Sequence, residues 1–195
     1  MADSKLIWAS TRPSDGGVFF RAPLGTALPV MDDAPWDSLD AAWEDHGWMG
    51  DAGVTNSIKR DRTEHQAFGG QIVKVTQDKY TETIKVTCYE SSEVVLKTVF
   101  GDENVTVDET SGHRQITVNH VSDPLGRSAF LARVVDGDKT RLIRCQEGEV
   151  ITIEDIVHVH SDLVKYTIVV MGYKPDAETP AFTELIDEAD VLVGS

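Results

Sequence analysis

The sequence predicts a mainly β domain, a β-sandwich or barrel carrying one short flanking α-helix, a long protruding loop and extended N- and C-terminal arms. Three observations predict it. Residues 80–89 alternate strictly, with Tyr80, Glu82, Ile84, Val86 and Cys88 on one face and Thr81, Thr83, Lys85, Thr87 and Tyr89 on the other; period two with β-branched residues marks a half-buried strand. Downstream, apolar runs recur at regular spacing between turn signals, as in sandwiches and barrels. Helical spacing is clear in one place only, where Val95, Leu96, Val99 and Phe100 share a face behind Ser91-Ser92 and ahead of Gly101. That segment spans about ten residues, too short to persist without docking on a sheet.

The elements follow in order. Residues 1–17 are polar and close on Asp15-Gly16-Gly17, an arm ending in a turn. Residues 18–21 form a short strand. Residues 22–35 hold Pro23, Gly25, Pro29 and Pro35 and predict an extended connection. In 38–46, Leu39, Ala42, Trp43 and His46 fit a helical stripe that runs into Gly47; residues 47–50 look strand-like. Residues 53–70 are polar, with both signs of charge interleaved over 59–65, and close on Gly69-Gly70. They predict a long hairpin or loop leaving the core. Strands are then expected at 71–77, 80–89, 104–108, 114–121, 128–135, 140–146, 149–159 and 164–173. Asp136-Gly137 is a hairpin signal and Glu147-Gly148 a turn signal between them. The last strand is apolar on both faces, so it is central or covered by a partner subunit. Residues 174–195 read as an acidic tail, and the domain proper as 18–173.

Charge narrows the function classes. The 195-residue chain carries 33 acids against 18 bases, a net charge of -15. Between Ala22 and Gly50, and again after Lys174, there is no Lys or Arg. Such a surface repels nucleic acid, which itself carries about one negative charge per 1.7 Å of axis. No apolar run approaches a membrane span, and the first residues lack the basic and apolar stretches of a secretory signal.

Motifs for chemistry are weak. His158 and His160 share a strand face with Glu154 and Ile156, but zinc takes three or four ligands and no matching pair exists. Asp108, Ser111, His113 and His120 lack the elbow that sets up a nucleophile, and no phosphate-binding glycine loop is present. Cys88 and Cys145 show neither disulfide density nor metal spacing. Trp8, Trp36, Trp43 and Trp48 could build a sugar-binding platform, though packing is the commoner role. The expectation is no catalytic residues, no metal and no cofactor. Lys59, Arg60 and Arg62, interrupted by Asp61 and followed by Glu64, suit a protein partner with complementary charges better than nucleic acid.

Several segments together resemble the major tail proteins of siphophages, especially those infecting actinobacteria. Residues 17–29, GVFFRAPLGTALP, resemble the family's opening strand and its APxGTxLP connection. Gly53-Val54-Thr55, Arg60-Asp61, Glu64 and Ala67-Phe68-Gly69-Gly70 resemble its central loop, with Phe68 where the family often has Trp. Residues 80–83 and 90–105 resemble the strand and helix that follow. The resemblance implies a structural virion protein, not an enzyme. Six subunits would form a ring, and rings would stack into the tail tube through which DNA passes without specific binding. The partners it implies are further copies of the chain, a tape measure protein and tail terminator and tip proteins, with synthesis in the host cytoplasm. The protruding loop, residues 50–70, would reach a neighbouring ring, with Lys59, Arg60, Asp61, Arg62, Glu64, His65 and Phe68 as contact candidates. A soluble binding module, or the inner tube of a contractile tail or injection system, are the alternative readings.

Overall fold

The computed structural model describes residues 7–13, 17–30, 39–110 and 112–187. Ten strands and one α-helix follow along the chain: β1 (Phe19–Ala22), β2 (Glu44–Asp45), β3 (Thr55–Gln66), β4 (Ile72–Cys88), α1 (Glu93–Phe100), β5 (Val105–Asp108), β6 (Gln115–Val118), β7 (Ser128–Asp136), β8 (Lys139–Ile153), β9 (Tyr166–Gly172) and β10 (Thr183–Asp187). Eight strands form one antiparallel sheet in the order β2-β1-β7-β8-β9-β4-β3, with β10 also on β8. β5 and β6 pair separately. The fold is mainly β, and the sheet stays open, ending at β2 and β3, so no barrel closes.

The centre of the sheet is buried on both faces, because successive side chains along β7 enter different cores. Phe130 and Ala132 meet Phe19, Ile143, Cys145, Ile84, Val86 and Ile168 on one side. α1 covers that side with Val95, Leu96 and Val99. Ser92 sits at the helix N-cap without a side-chain cap bond, and Gly101, at φ 95°, ends the helix by donating its N–H to the Lys97 carbonyl. On the other side Ala129 and Leu131 meet Phe20, Leu142 and Trp43. The proline-rich connection is tied down here: Trp43 Nε1 donates to the Ala27 carbonyl at 3.2 Å and Arg144 to the Pro29 carbonyl at 2.9 Å.

Several sequence expectations change. The stripe at 38–46 is not a helix over its described part, residues 39–46. The chain turns at Asp40, whose carbonyl accepts from Trp43 N–H and whose carboxylate accepts from Ala42 N–H, and then pairs with β1. Residues 47–50 supply one bridge, Met49 to Cys88. The strands expected at 71–77 and 80–89 are one strand, β4, with register shifts. Those expected at 140–146 and 149–159 are also one strand, β8, ending at Ile153. Glu147-Gly148 therefore lies within β8, where the register with β7 shifts between Cys145 and Gly148. Its first half holds β10 and its second half holds β9 along the same edge. Gly148 is needed there for space: an added Cβ would lie 2.8 Å from Phe130, 2.9 Å from Val170 and 3.1 Å from Cys145. The segment read as an acidic tail contains β10, whose Leu185 packs on the second core. In the N-terminal segment, Thr11 bridges to Val135.

Arg21 and His46 anchor the junction of β1, β2 and α1. Arg21 grips Asp102 with two hydrogen bonds, 2.8 and 2.6 Å, and donates to Ser128 Oγ. His46 is fully buried, with its ring 4.9 Å from that of Phe19. Thr98 already donates its hydroxyl to the Val94 carbonyl, so His46 Nε2–H donates to Thr98 Oγ1 at 3.0 Å and the ring stays neutral. Burial pushes its pKa down to about 3.

Two measurements check this core. Gly148→Ala should lower unfolding free energy by about 1–3 kcal/mol in urea titration, the usual cost of overpacking; unchanged stability would mean that this position has room to spare. His46 in the unfolded chain takes up a proton as pH falls through about 6.5, whereas in the folded chain it does so only near 3. Its stabilising contribution is thus complete above the unfolded value and is lost as pH falls below it, by up to about 1.4 kcal/mol per pH unit. Stability of His46→Gln should decline less steeply than wild type between pH about 6.5 and 5, and parallel slopes would contradict the buried neutral imidazole.

Candidate assembly surfaces

The sequence-predicted contact residues all lie on the hairpin formed by β3 and β4. β4 is held by β9 only from Thr83 to Cys88. From Glu82 outward the hairpin is a two-stranded ribbon with no third strand among the described residues. Eleven residues of β4 at about 3.3 Å each give an arm of about 35 Å. The return limb of the protruding element is thus β4, and the element is longer than the expected 50–70. At its tip, Ala67 N–H donates to Gln71 O and Gly70 N–H to Ala67 O. Gly69 and Gly70, at φ 104° and 88°, supply the left-handed conformations that the turn requires. Phe68 stands on this turn fully exposed.

The register separates the site residues onto two faces. Arg60 lies opposite Tyr80, with its guanidinium 4.7 Å from the ring centroid, and donates to Gln77. Arg62 pairs with Gln77 and Glu64 with Val75. Tyr80 donates to Glu82 Oε2 at 2.7 Å, which raises the phenol pKa. Lys59 and Asp61, 3.4 Å apart, occupy the opposite face. There Thr63 bonds Asp78, and His65 bonds Thr76. The residues are therefore brought onto one arm but not to one point.

The projecting ribbon, from Ile58 to Glu82, holds five bases and four acids, a balance of +1, so the rest of the -15 chain carries -16.

The other candidates gather no chemistry. Among the described residues no group of three or more His, Cys, Asp and Glu is placed to hold a metal. His158 and His160 lie exposed in the irregular connection after β8, not on a strand face. Asp108 is engaged by Thr110 and His120 packs on Phe100, at 4.6 Å between rings; Ser111 lies outside the described residues. Burial pushes both cysteine thiols up to about 12, leaving them unreactive. Trp43 is buried, Arg12 covers the Trp48 ring at 3.9 Å and Arg141 lies 4.7 Å from that of Trp8; Trp36 lies outside the described residues. A recess of about 650 Å³ opens between residues 10–12, the 48–54 loop and β7–β8, but its Arg141 and Glu184 pair with each other at 3.2 Å. Sequence reasoning missed β10, the His46–Thr98 contact and the Arg21–Asp102 clamp. The one available signal was a single charge, Arg21, inside an otherwise apolar strand.

The model of a family described as phage tail tube protein matches residues 3–191. The chain belongs to the phage tail tube protein family. No curated protein matches the sequence. Among solved structures, the chain is similar to the cap of the anti-feeding prophage, described as a tube-terminating cap, at 8% identity and a TM-score of 0.42; the likeness covers 96% of this chain and 100% of that one. This tail tube protein is a structural component of the virion that assembles with itself into a tube within the phage tail. No helix among its described residues is long and apolar enough to cross a membrane.

Phe68→Ser should leave the melting temperature within about 2 °C of wild type, since surface changes without partners cost little. A larger drop would show that the tip packs on its own body.

Proposed function

We propose that this protein is the major tail tube subunit of a long-tailed siphophage, six copies closing into a ring and rings stacking into the conduit for DNA ejection. The observation that carries this is the projecting, net basic ribbon on a strongly acidic body. An arm of one sign beside a surface of the other favours head-to-tail contact between copies, a heterologous geometry that builds rings and filaments. Lys59, Arg60, Asp61, Arg62, Glu64, His65 and Phe68 are the contact residues, reaching the neighbouring ring. Acidic residues of the body line the bore, so DNA is repelled from the wall and slides through without sticking. The subunit's further partners, by resemblance, are a tape measure protein and tail terminator and tip proteins.

Negative-stain microscopy of the purified protein tests the reading. The expected outcome is stacked rings with a central channel and, in a reconstruction, a net acidic bore, with no duplex DNA retained at about 0.15 M salt, where only a net basic surface holds DNA. A protein that stays monomeric at every concentration, or a tube with a basic bore, would overturn it.

A further inference from the structure

The tip of the arm is an apolar knob, and its root borders an apolar recess. At the tip, Phe68, Ile72 and Val73 are exposed, and no charged residue stands between His65 and Lys74. Nothing lies within 4 Å of where a side chain at Gly69 or Gly70 would begin, so Phe68 stands clear of its own turn. Apolar groups carried about 35 Å into water on a slender ribbon mark a contact site. The recess of about 650 Å³ takes its apolar lining from Val18, Met49, Val54, Val134 and Ile143. Its size falls within the roughly 300–1,000 Å³ of pockets that enclose a partner group. Of its charges, Arg141 pairs with Glu184, Arg12 lies over the Trp48 ring and Asp51 is exposed.

We infer that Phe68 of one copy of this chain seats in the recess of a second copy. The inference rests on the assembly reading above and deepens it by naming the surface that receives the arm. Position excludes the chain's own recess. Gly53, Val54 and Asn56 line it where β3 begins, and Asn56 pairs with Ile84 at the point where β9 holds β4. The paired strands carry Phe68 away from that root by the whole length of the arm, so the ring that enters the recess comes from another molecule. Knob and recess lie on different parts of one chain, a heterologous arrangement that does not close between two copies and propagates instead. The chemistry matches as well. An uncharged tip brings no unpaired ion into an apolar cavity, where burial of one is costly, and an aromatic ring in a pocket is the kind of anchor that dominates interfaces. The charged residues nearer the body, Lys59 to His65, then lie against the surface beyond its mouth, as the polar rim of an apolar anchor.

Both ends of the contact are tested together. Phe68→Ser removes the knob, and Ala52→Trp fills the recess from an exposed position in its wall. Each variant is first shown to fold by circular dichroism and thermal melting, then assembled beside wild type and scored by sedimentation and microscopy. Both should lose sedimenting tubes by about tenfold or more, corresponding to at least one decade in affinity. A cross-link reads the pairing directly, and it decides alone should Ala52→Trp fail to fold. With Ala67→Cys and Ala52→Cys in one chain that keeps Phe68, a short bismaleimide added to assembled tubes should give a ladder of covalent multimers on a denaturing gel. Either added cysteine alone can join no more than two chains, because Cys88 and Cys145 are buried. Full assembly by either folded variant, or tubes of the double-cysteine chain that give no ladder, overturns the docking while leaving the tube reading standing. Failure of the wild-type protein itself to form tubes defeats the assembly reading instead.

Discussion

Beyond Thr83 the β3–β4 ribbon has two strands and, among the described residues, no layer above or below it, so Ile58 and Val75 stay half-exposed. The rest of the structure serves as the mount for this arm. Its root is rigid for a definite reason: Ile84, Val86 and Cys88 are buried in the main core, β9 pairs with them over six residues, and α1 closes the face above. A lever that changes from fully buried to fully exposed along one strand transmits the orientation of the core to its tip.

The mount depends on β8. This strand takes β7 along one edge and, along the other, β10 up to Arg144 and β9 from Gly148. The register with β7 shifts between Cys145 and Gly148, and a side chain at Gly148 would collide with Phe130 and Val170. Arg21, bonded at once to Asp102 after α1 and to Ser128 at the start of β7, fastens the helix side of the molecule to the same centre.

Much of this was legible in the sequence, and the failures have physical causes. The alternation in 80–89 was read correctly because one face of that stretch is core and the other is polar. The hairpin at Asp136-Gly137 was legible because only a left-handed turn joins two such runs, and Gly137 has φ 60°. Gly148 misled because glycine marks both turns and crowded strand positions, and only the neighbours distinguish them. β10 was hidden by its acids: Glu184 and Asp187 suggest a solvated tail, yet Leu185 alone reaches the core, and the backbone of β8 does the pairing. The stripe of Leu39, Trp43 and His46 imitated a helix because two different cores, one on each face of the sheet, draw Trp43 and His46 inward. That residues 59–68 lie on a projecting hairpin was legible, but their division into two faces needed the register shifts of β4, which no sequence pattern announces.

An exposed strand edge invites uncontrolled pairing, and β3 presents twelve residues of it. Its side chains work against that. Lys59, Arg60, Asp61, Arg62 and Glu64 are consecutive or nearly so, and any strand laid alongside must bring its own groups against this sequence of charges. The register shift between Asp61 and Arg62 further spoils the flat edge. The mixed charges make that edge selective rather than adhesive: an apolar strand laid against it would leave Lys59, Arg60, Asp61, Arg62 and Glu64 without complementary partners across the ladder.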